Sequence, residues 1–322
     1  MFLKTPQFWH KKNSLLSILL IPFSWLYRIG HALNMRRQSP PYKASIPVIC
    51  IGNAIAGGSG KTPSVIALIK IIKDNNIAKN PYILTRGYGA EMTAPTLVDL
   101  SKHRFHDVGD EALLLAQHAP TIISPNRAAG AKYAEEQGAD LIIMDDGLQN
   151  NHVKKTLSFL VIDRQIDFGN NRILPAGPLR EPLSTALMKV QAIICIGRPF
   201  HSDKDVFEAS IKPHNIPDTS QDYIAFAGLG YPEKFKNTLL DLKMNLVGWY
   251  GFPDHHVYSP QDINNLKQET KNKNVKLITT EKDFVRLSEN QKEDILTLPI
   301  HLNFKNADDI SAFIKNKLED GV

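Results

Sequence analysis

Apolar and polar positions fall along the chain in short alternating blocks. Ile46-Pro47-Val48-Ile49-Cys50-Ile51 is an apolar, largely β-branched run, the pattern of a strand buried on both faces, and residues 64–73 that follow its loop are helix-competent. The alternation then repeats. Strands are expected at 82–85, 96–98, 121–124, 140–144, 157–162 and 191–196, with helices over 112–118 and 128–137. Short apolar strands separated by helices argue for a mainly parallel sheet of P-loop type, with helices on both faces and ligands outside the strands' carboxyl ends. Residues 213–221 turn polar, carry Pro213 and Pro217 and lose periodicity. Beyond them a second alternation begins, with strands at 223–227, 246–250, 276–280 and 300–304 and helices at 233–241, 261–271 and 308–318. The organisation expected is therefore an α/β catalytic domain over residues 41–215 and a smaller α/β domain over 216–322.

The first strand runs into Gly52-Asn53-Ala54-Ile55-Ala56-Gly57-Gly58-Ser59-Gly60-Lys61-Thr62-Pro63. Strand, glycine-rich turn and helix in that order make a phosphate cradle, because glycines permit the backbone conformations in which successive N–H groups converge on phosphate oxygens. Gly57, Gly58, Ser59, Gly60, Lys61 and Thr62 are expected to hold a nucleoside triphosphate. Lys61 would reach the β and γ phosphates, and Thr62 would ligate magnesium. The ordinary spacing G-x-x-x-x-G-K-[ST] places its first glycine where this chain has Ile55, so the loop is expanded or of a variant type. The apolar strand at 140–144 then delivers Asp145 and Asp146 at its carboxyl end, where phosphate-loop proteins bring acid to the magnesium shell. Both aspartates are candidates.

Other polar clusters have two readings each. Asp110-Glu111 opens a helix, where carboxylates gain ~0.3–1 kcal/mol from the helix dipole, or supplies a base beside the γ-phosphate. Phe252-Pro253-Asp254-His255-His256 is a structural histidine pair or an Asp-oriented proton shuttle; no third ligand cluster supports zinc. Gly228-Leu229-Gly230 resembles a dinucleotide fingerprint, but Glu233 stands where its third glycine belongs, and that reading is rejected.

Near the N-terminus, residues 15–27 form an apolar run broken by Ser17, Pro22 and Ser24 and flanked by His10, Lys11, Lys12, Arg28, Arg36 and Arg37. As a helix it would be about 20 Å long, short of the ~30 Å hydrocarbon core of a bilayer. Three readings compete: a signal peptide, a buried helix, and an interfacial anchor with Trp9, Phe23, Trp25 and Tyr27 at headgroup depth. A secreted chain would not meet a nucleoside triphosphate, and the membrane-associated anchor, over residues 1–40, is the reading carried forward.

Composition adds little. With 43% hydrophobic and 22% charged residues the chain has ample core and is not a disordered protein. A formal charge of +5 favours anionic partners, yet no basic patch carries interleaved aromatics, which argues against nucleic acid. Cys50 and Cys195 sit in apolar runs and read as buried free thiols of a reducing compartment.

Taken together, GNxxxGGxGKTP at 52–63, RGYG at 86–89, GDE at 109–111, DDGxQ at 145–149, LPAGPLREP at 174–182, FxDHH at 252–256 and TEKD at 280–283 resemble the tetraacyldisaccharide 4'-kinases of lipid A biosynthesis. The resemblance covers nearly the whole chain, and it accounts for the enlarged loop. It implies ATP- and Mg2+-dependent phosphorylation of the 4' hydroxyl of an acylated glucosamine disaccharide 1-phosphate, to give lipid IVA, by an enzyme held peripherally or monotopically at the cytoplasmic face of the inner membrane. It also implies that Asp110, supported by His255, deprotonates the sugar hydroxyl, with Lys61 as the third catalytic residue. Arg86, Glu111, Gln149, Arg180 and Glu181 are the candidates for substrate contact. The family run DDGxQH is departed from here, since Gln149 is followed by Asn150-Asn151-His152. No obligatory protein partner is implied. The rival reading is a nucleotide-switch ATPase or GTPase that works through a protein partner.

Overall fold

The apolar run forms strand β1 (Val48–Gly52), buried at every residue, at the centre of a nine-stranded sheet. The structure is a computed structural model that describes residues 6–36 and 40–320, with the backbone alone over 31–36. The other strands are β2 (Pro81–Thr85), β3 (Thr96–Leu97), β4 (Thr121–Ile123), β5 (Leu141–Asp145), β6 (Leu157–Asp163), β7 (Ala192–Ile196), β8 (Asp205–Pro213), β9 (Asp222–Ala227), β10 (Asn245–Gly251), β11 (Lys276–Thr280), β12 (Ile295–Leu298) and β13 (Ile300–Phe304). The large sheet has the order β13-β8-β7-β6-β1-β5-β2-β4-β3. Its pairs are parallel except at the two edges, where β3 and β13 run antiparallel to β4 and β8.

Successive β1 residues feed opposite faces, as the pleat requires. Ile49 and Ile51 join the core under helix Lys61–Asp74, and Val48 joins the one under helix Arg127–Glu136. The first helix meets the sheet with Val65, Leu68, Ile69 and Ile72, the i, i+3, i+4, i+7 stripe of a helix with one buried face. Between β5 and β6 the chain crosses β1 to its other side. Strand order reverses there, the point of an open α/β sheet at which ligands lie beyond the carboxyl ends of the strands.

The smaller sheet, β10-β9-β11-β12, is parallel throughout and is sandwiched between helices Glu233–Asp241 and Pro260–Lys273. It is an insertion between β8 and β13. This corrects the expected grouping of everything after residue 216. Strand β13 pairs with β8, and the following helix Ala307–Glu319 buries Ile310, Ile314 and Leu318 in the core of the large sheet. An amphipathic helix buries its stripe wherever an open apolar face exists, and chain order does not say where that is. Strands β8 and β12 were not anticipated from the pattern, because both are partly exposed and alternate poorly.

At the N-terminus, helices Leu15–Leu19 and Ile21–Arg36 dock with their polar residues inward. Ser17 donates to the Ala176 carbonyl and Ser24 to that of Ile173, at 2.5 and 2.8 Å. Leu15, Leu19, Trp25 and Leu26 point outward, each more than 60% exposed. A simple buried helix would show the reverse. Among the described residues no helix is long and apolar enough to cross a membrane. Arg37 and the side chain of Arg36, part of the basic flank, lie outside the described residues.

Candidate active site

The glycine-rich loop of residues 57–60 lies between the carboxyl end of β1 and helix Lys61–Asp74. Gly60 caps helix Lys61–Asp74 with a φ of +79°, a left-handed conformation that favours glycine, and a Cβ there would press on the movable end of Ile196. Gly57 also has positive φ. Buried Ser59 accepts from Asn53 Nδ2 at 2.5 Å, which ties the loop to the end of the strand. Lys61 and Thr62 are the first two residues of the helix, where unpaired N–H groups and the dipole favour anions.

Asp145 and Asp146, at the end of β5, face different surroundings. Asp145 is 1% exposed, and its Oδ1 is buried without a hydrogen-bond partner, while Oδ2 accepts weakly from Thr85 at 3.3 Å. Burial, reinforced by the Glu111 and Asp146 carboxylates, pushes its pKa up to about 7. For Asp146, burial is outweighed by Lys61 and Arg180, and the pKa falls to about 2. Arg180 grips Asp146 with both terminal nitrogens, at 2.7 and 3.0 Å, and Lys61 Nζ lies 3.8 Å away. Gln149 joins this set: it accepts from Arg180 and donates to the Asn53 carbonyl and to Glu181. Glu181 is 3% exposed and paired with Lys189 at 2.5 Å.

Helix Asp110–Ala116 begins after Gly109, whose Cβ would meet the Tyr88 carbonyl oxygen at 2.6 Å. The GDE and RGYG runs are thus packed against each other. Asp110 is 4% exposed. Its Oδ2 lies 2.9 Å from His255 Nδ1 and accepts from Arg286 Nε at 2.6 Å, and its Oδ1 accepts from the Glu111 amide at 2.8 Å. Burial alone would raise this carboxyl's pKa, but Lys282, His255 and Arg286 hold it far below the usual range. Lys282 bonds Glu111 at 3.0 Å. The Glu111 pKa is lowered chiefly by Lys282, with Lys61 also contributing, so this carboxylate feels both the small-domain cluster and the phosphate loop.

Of the two adjacent histidines, His255 is the one brought to Asp110. His256 turns away, stacks on Phe252 and approaches Asp262 at 3.3 Å. His152, which stands two residues beyond the place of the family's histidine, donates its amide to Asn150 Oδ1 within its own turn. Arg86 is exposed at the end of β2. Three polar residues of the site escaped the sequence reading as site residues: Lys282, Arg286 and Arg127, whose Nη2 donates to the Asp145 carbonyl at 3.0 Å. Arg286 had a visible signal, a charge inside Phe284-Val285-Arg286-Leu287; a cation in an apolar run is buried on a partner or not buried at all.

Cations and main-chain amides gather at the glycine-rich loop, and a carboxylate is paired with an imidazole at the start of helix Asp110–Ala116. Those are the means of moving a phosphoryl group to a hydroxyl, and the molecule falls among the α/β phosphotransferases. The family model for LpxK, Tetraacyldisaccharide-1-P 4'-kinase, matches residues 16–319. The chain belongs to that family, and is an ATP-dependent kinase of lipid A biosynthesis. Relatives named tetraacyldisaccharide 4'-kinase include one from Parvibaculum lavamentivorans, 41% identical over 89% of this chain and 87% of its own, and one from a Bradyrhizobium species, 36% identical over 98% and 96%. Among solved structures, LpxK from Aquifex aeolicus in complex with ATP superposes with a TM-score of 0.77 at 26% identity, over 94% of this chain and all of that one.

Proposed function

We propose that the chain carries the γ-phosphoryl group of ATP to the 4' hydroxyl of an acylated glucosamine disaccharide 1-phosphate, and that it does so with the residues gathered around Lys61 and Asp110. The observation that carries this reading is the Asp110–His255 pair at 2.9 Å, beside which Glu111 is held by Lys282 at 3.0 Å. Gly57, Gly58, Ser59 and Gly60 present amides to the phosphates, and Lys61 neutralises their charge. Asp110 takes the proton of the attacking hydroxyl. Its lowered pKa makes it a weak base, and His255, at Oδ2, holds the carboxylate in place to receive the proton. Arg86, Glu111, Gln149, Arg180 and Glu181 line the route to this point and orient the sugar and its anionic groups.

Among the described residues no three His, Cys, Asp or Glu side chains are grouped to hold a metal by themselves. A magnesium ion arriving with the nucleotide nevertheless fits. The unpartnered Asp145 Oδ1 is a buried carboxyl oxygen crowded by the Glu111 and Asp146 carboxylates, a place that an added cation would relieve. Asp145 and the Thr62 hydroxyl would hold the ion, while Asp146, engaged by Arg180 and Lys61, orients those cations. When bound, magnesium neutralises the β and γ phosphates.

The outward apolar face of residues 15–30 is the membrane-docking surface in this reading. A multiply acylated substrate does not leave a bilayer, since each buried CH₂ contributes ~0.8 kcal/mol. The helices that carry the patch are tied by Ser17 and Ser24 to the Ala176 and Ile173 carbonyls, in the loop that leads to Arg180 and Glu181. Supply of ATP and acceptor together places the enzyme at the cytoplasmic face of the inner membrane. The deciding experiment is transfer of labelled γ-phosphate to a detergent-dispersed acylated disaccharide 1-phosphate. Brisk nucleotide hydrolysis stimulated by a protein partner, with no labelled glycolipid, would install the nucleotide-switch reading instead. For the surface, Leu19→Glu with Trp25→Glu is expected to abolish sedimentation with anionic vesicles while ATP binding persists; unchanged sedimentation would remove the patch from that role.

A further inference from the structure

We propose that Arg286 is a positioning residue for the transfer reaction: anchored in the smaller domain, its guanidinium holds the Asp110 carboxylate in the orientation that His255 meets, so that seating of the two domains sets the geometry of the reacting pair. This rests on the reading of Asp110 as proton acceptor.

Arg286 follows helix Glu281–Phe284, and its side chain is 1% exposed. Its Nη1 donates to Asp283 Oδ1 at 2.9 Å and to the Gly228 carbonyl at 2.8 Å. Asp283 is itself fully buried and held by the Gly228 amide, the Tyr258 hydroxyl and Thr280 Oγ1, at 2.9, 2.7 and 2.6 Å. Every one of these partners belongs to the smaller domain. The plane of the guanidinium is therefore settled there, and Nε is the edge presented across the seam to Asp110, 176 residues away in the chain. Beside it Val285 packs with Val108, Ala112 and Leu113, and the Lys282–Glu111 pair crosses the same seam. The apolar contact and the second ion pair hold the domains together without Arg286.

A buried arginine between two carboxylates adds little net stability compared with apolar side chains of similar size, because desolvation offsets most of the attraction. It adds direction. Three N–H bonds in one rigid plane fix where Asp110 Oδ2 lies, and a lysine ammonium would satisfy the charge without fixing the direction. The oxygen so placed is the one that His255 meets. The nearby charged groups are Lys282 and Glu111 along the seam, Asp283 beneath the guanidinium, and Asp254, 3.9 Å from His255 Nε2.

The test uses the full chain with Arg286→Lys and Arg286→Gln, assayed for transfer to the glycolipid across pH, with thermal melts alongside. Arg286→Lys is expected to lower kcat about 10²-fold with KM for ATP and acceptor little changed, as for a reacting group displaced by ~1 Å. Arg286→Gln should in addition move the acidic limb of the kcat profile to higher pH, because Asp110 loses a cation that favours its ionised form. In a double-mutant cycle, Arg286→Gln should cost nothing further once Asp110→Asn is present. Wild-type kcat in Arg286→Lys, a full additional loss in the Asp110→Asn background, or loss of the cooperative melt in both Arg286 variants would each overturn the proposal. Wild-type kcat in Asp110→Asn alone would instead sink the reading of Asp110, and this proposal with it.

Discussion

Six consecutive residues from Gly57 to Thr62 make the candidate cradle, whereas the Asp110 cluster draws Asp110, His255, Lys282 and Arg286 from two domains and from positions as far as 176 residues apart. The cradle is mostly backbone. Its conformation is set by Gly57 and Gly60, by the bond between Asn53 and Ser59, and by the start of one helix. The Asp110 cluster is mostly charge, and each member is placed by a different element. The first region is built within one stretch of chain; the second is assembled by contacts of Arg286, His255 and Lys282 with helix Asp110–Ala116. A kinase that must not spend ATP on water gains from that division, because the acceptor side is completed separately from the donor side.

Substitutions that separate affinity from turnover sharpen this contrast. The largest expected effect is Asp110→Asn, with kcat down ~10²–10⁴-fold and ATP affinity unchanged, read by single-turnover transfer and by calorimetry. Matching losses of both would merge the two regions. Next is His255→Gln, which removes one charge-assisted bond to a buried carboxylate and should lower kcat roughly 10–10²-fold. His256→Gln should leave turnover near wild type, and an equal effect at both positions would break the geometric distinction between them.

Gly60→Val is expected to act on the donor side, weakening ATP binding about tenfold through the forbidden φ and the contact with Ile196. Wild-type affinity in that variant would show that the loop rearranges freely. The smallest effect is on stability in acid. The Asp146 pKa is depressed from 3.8 to about 2, so its contribution is present above the unfolded pKa and is lost as pH falls from about 4 towards 2. Asp146→Asn should flatten the decline of Tm over that window, and an unchanged slope would mean that the Arg180 and Lys61 pairs do not contribute.

Much of the larger domain was legible because its information is local. Strands such as β1, β5 and β7 are apolar at nearly every position, and the run from Gly57 to Thr62 specifies a turn and a helix start by residue type alone. The expectation failed where pattern was weak or partners were remote. Strand β8 is half-exposed and reads as loop, and β13 completes an antiparallel edge on a sheet that the chain left almost ninety residues earlier. Arg286 was visible as a charge in an apolar run, but its two carboxylate partners were not, since one of them lies in another domain.

The sequence by itself determined the strands of the core, the glycine-rich turn and helix start that follow β1, and the paired aspartates and histidines from which the site is drawn, because backbone preference and hydrophobic periodicity act over a few residues. Only the tertiary structure decided that His255 rather than His256 meets Asp110, that Asp145 keeps a bare buried oxygen while Asp146 is spent on Arg180 and Lys61, and that the last strand and helix return to the first sheet. Those choices depend on burial and on charges brought together across long separations, and neither leaves a mark on the neighbouring residues in the chain.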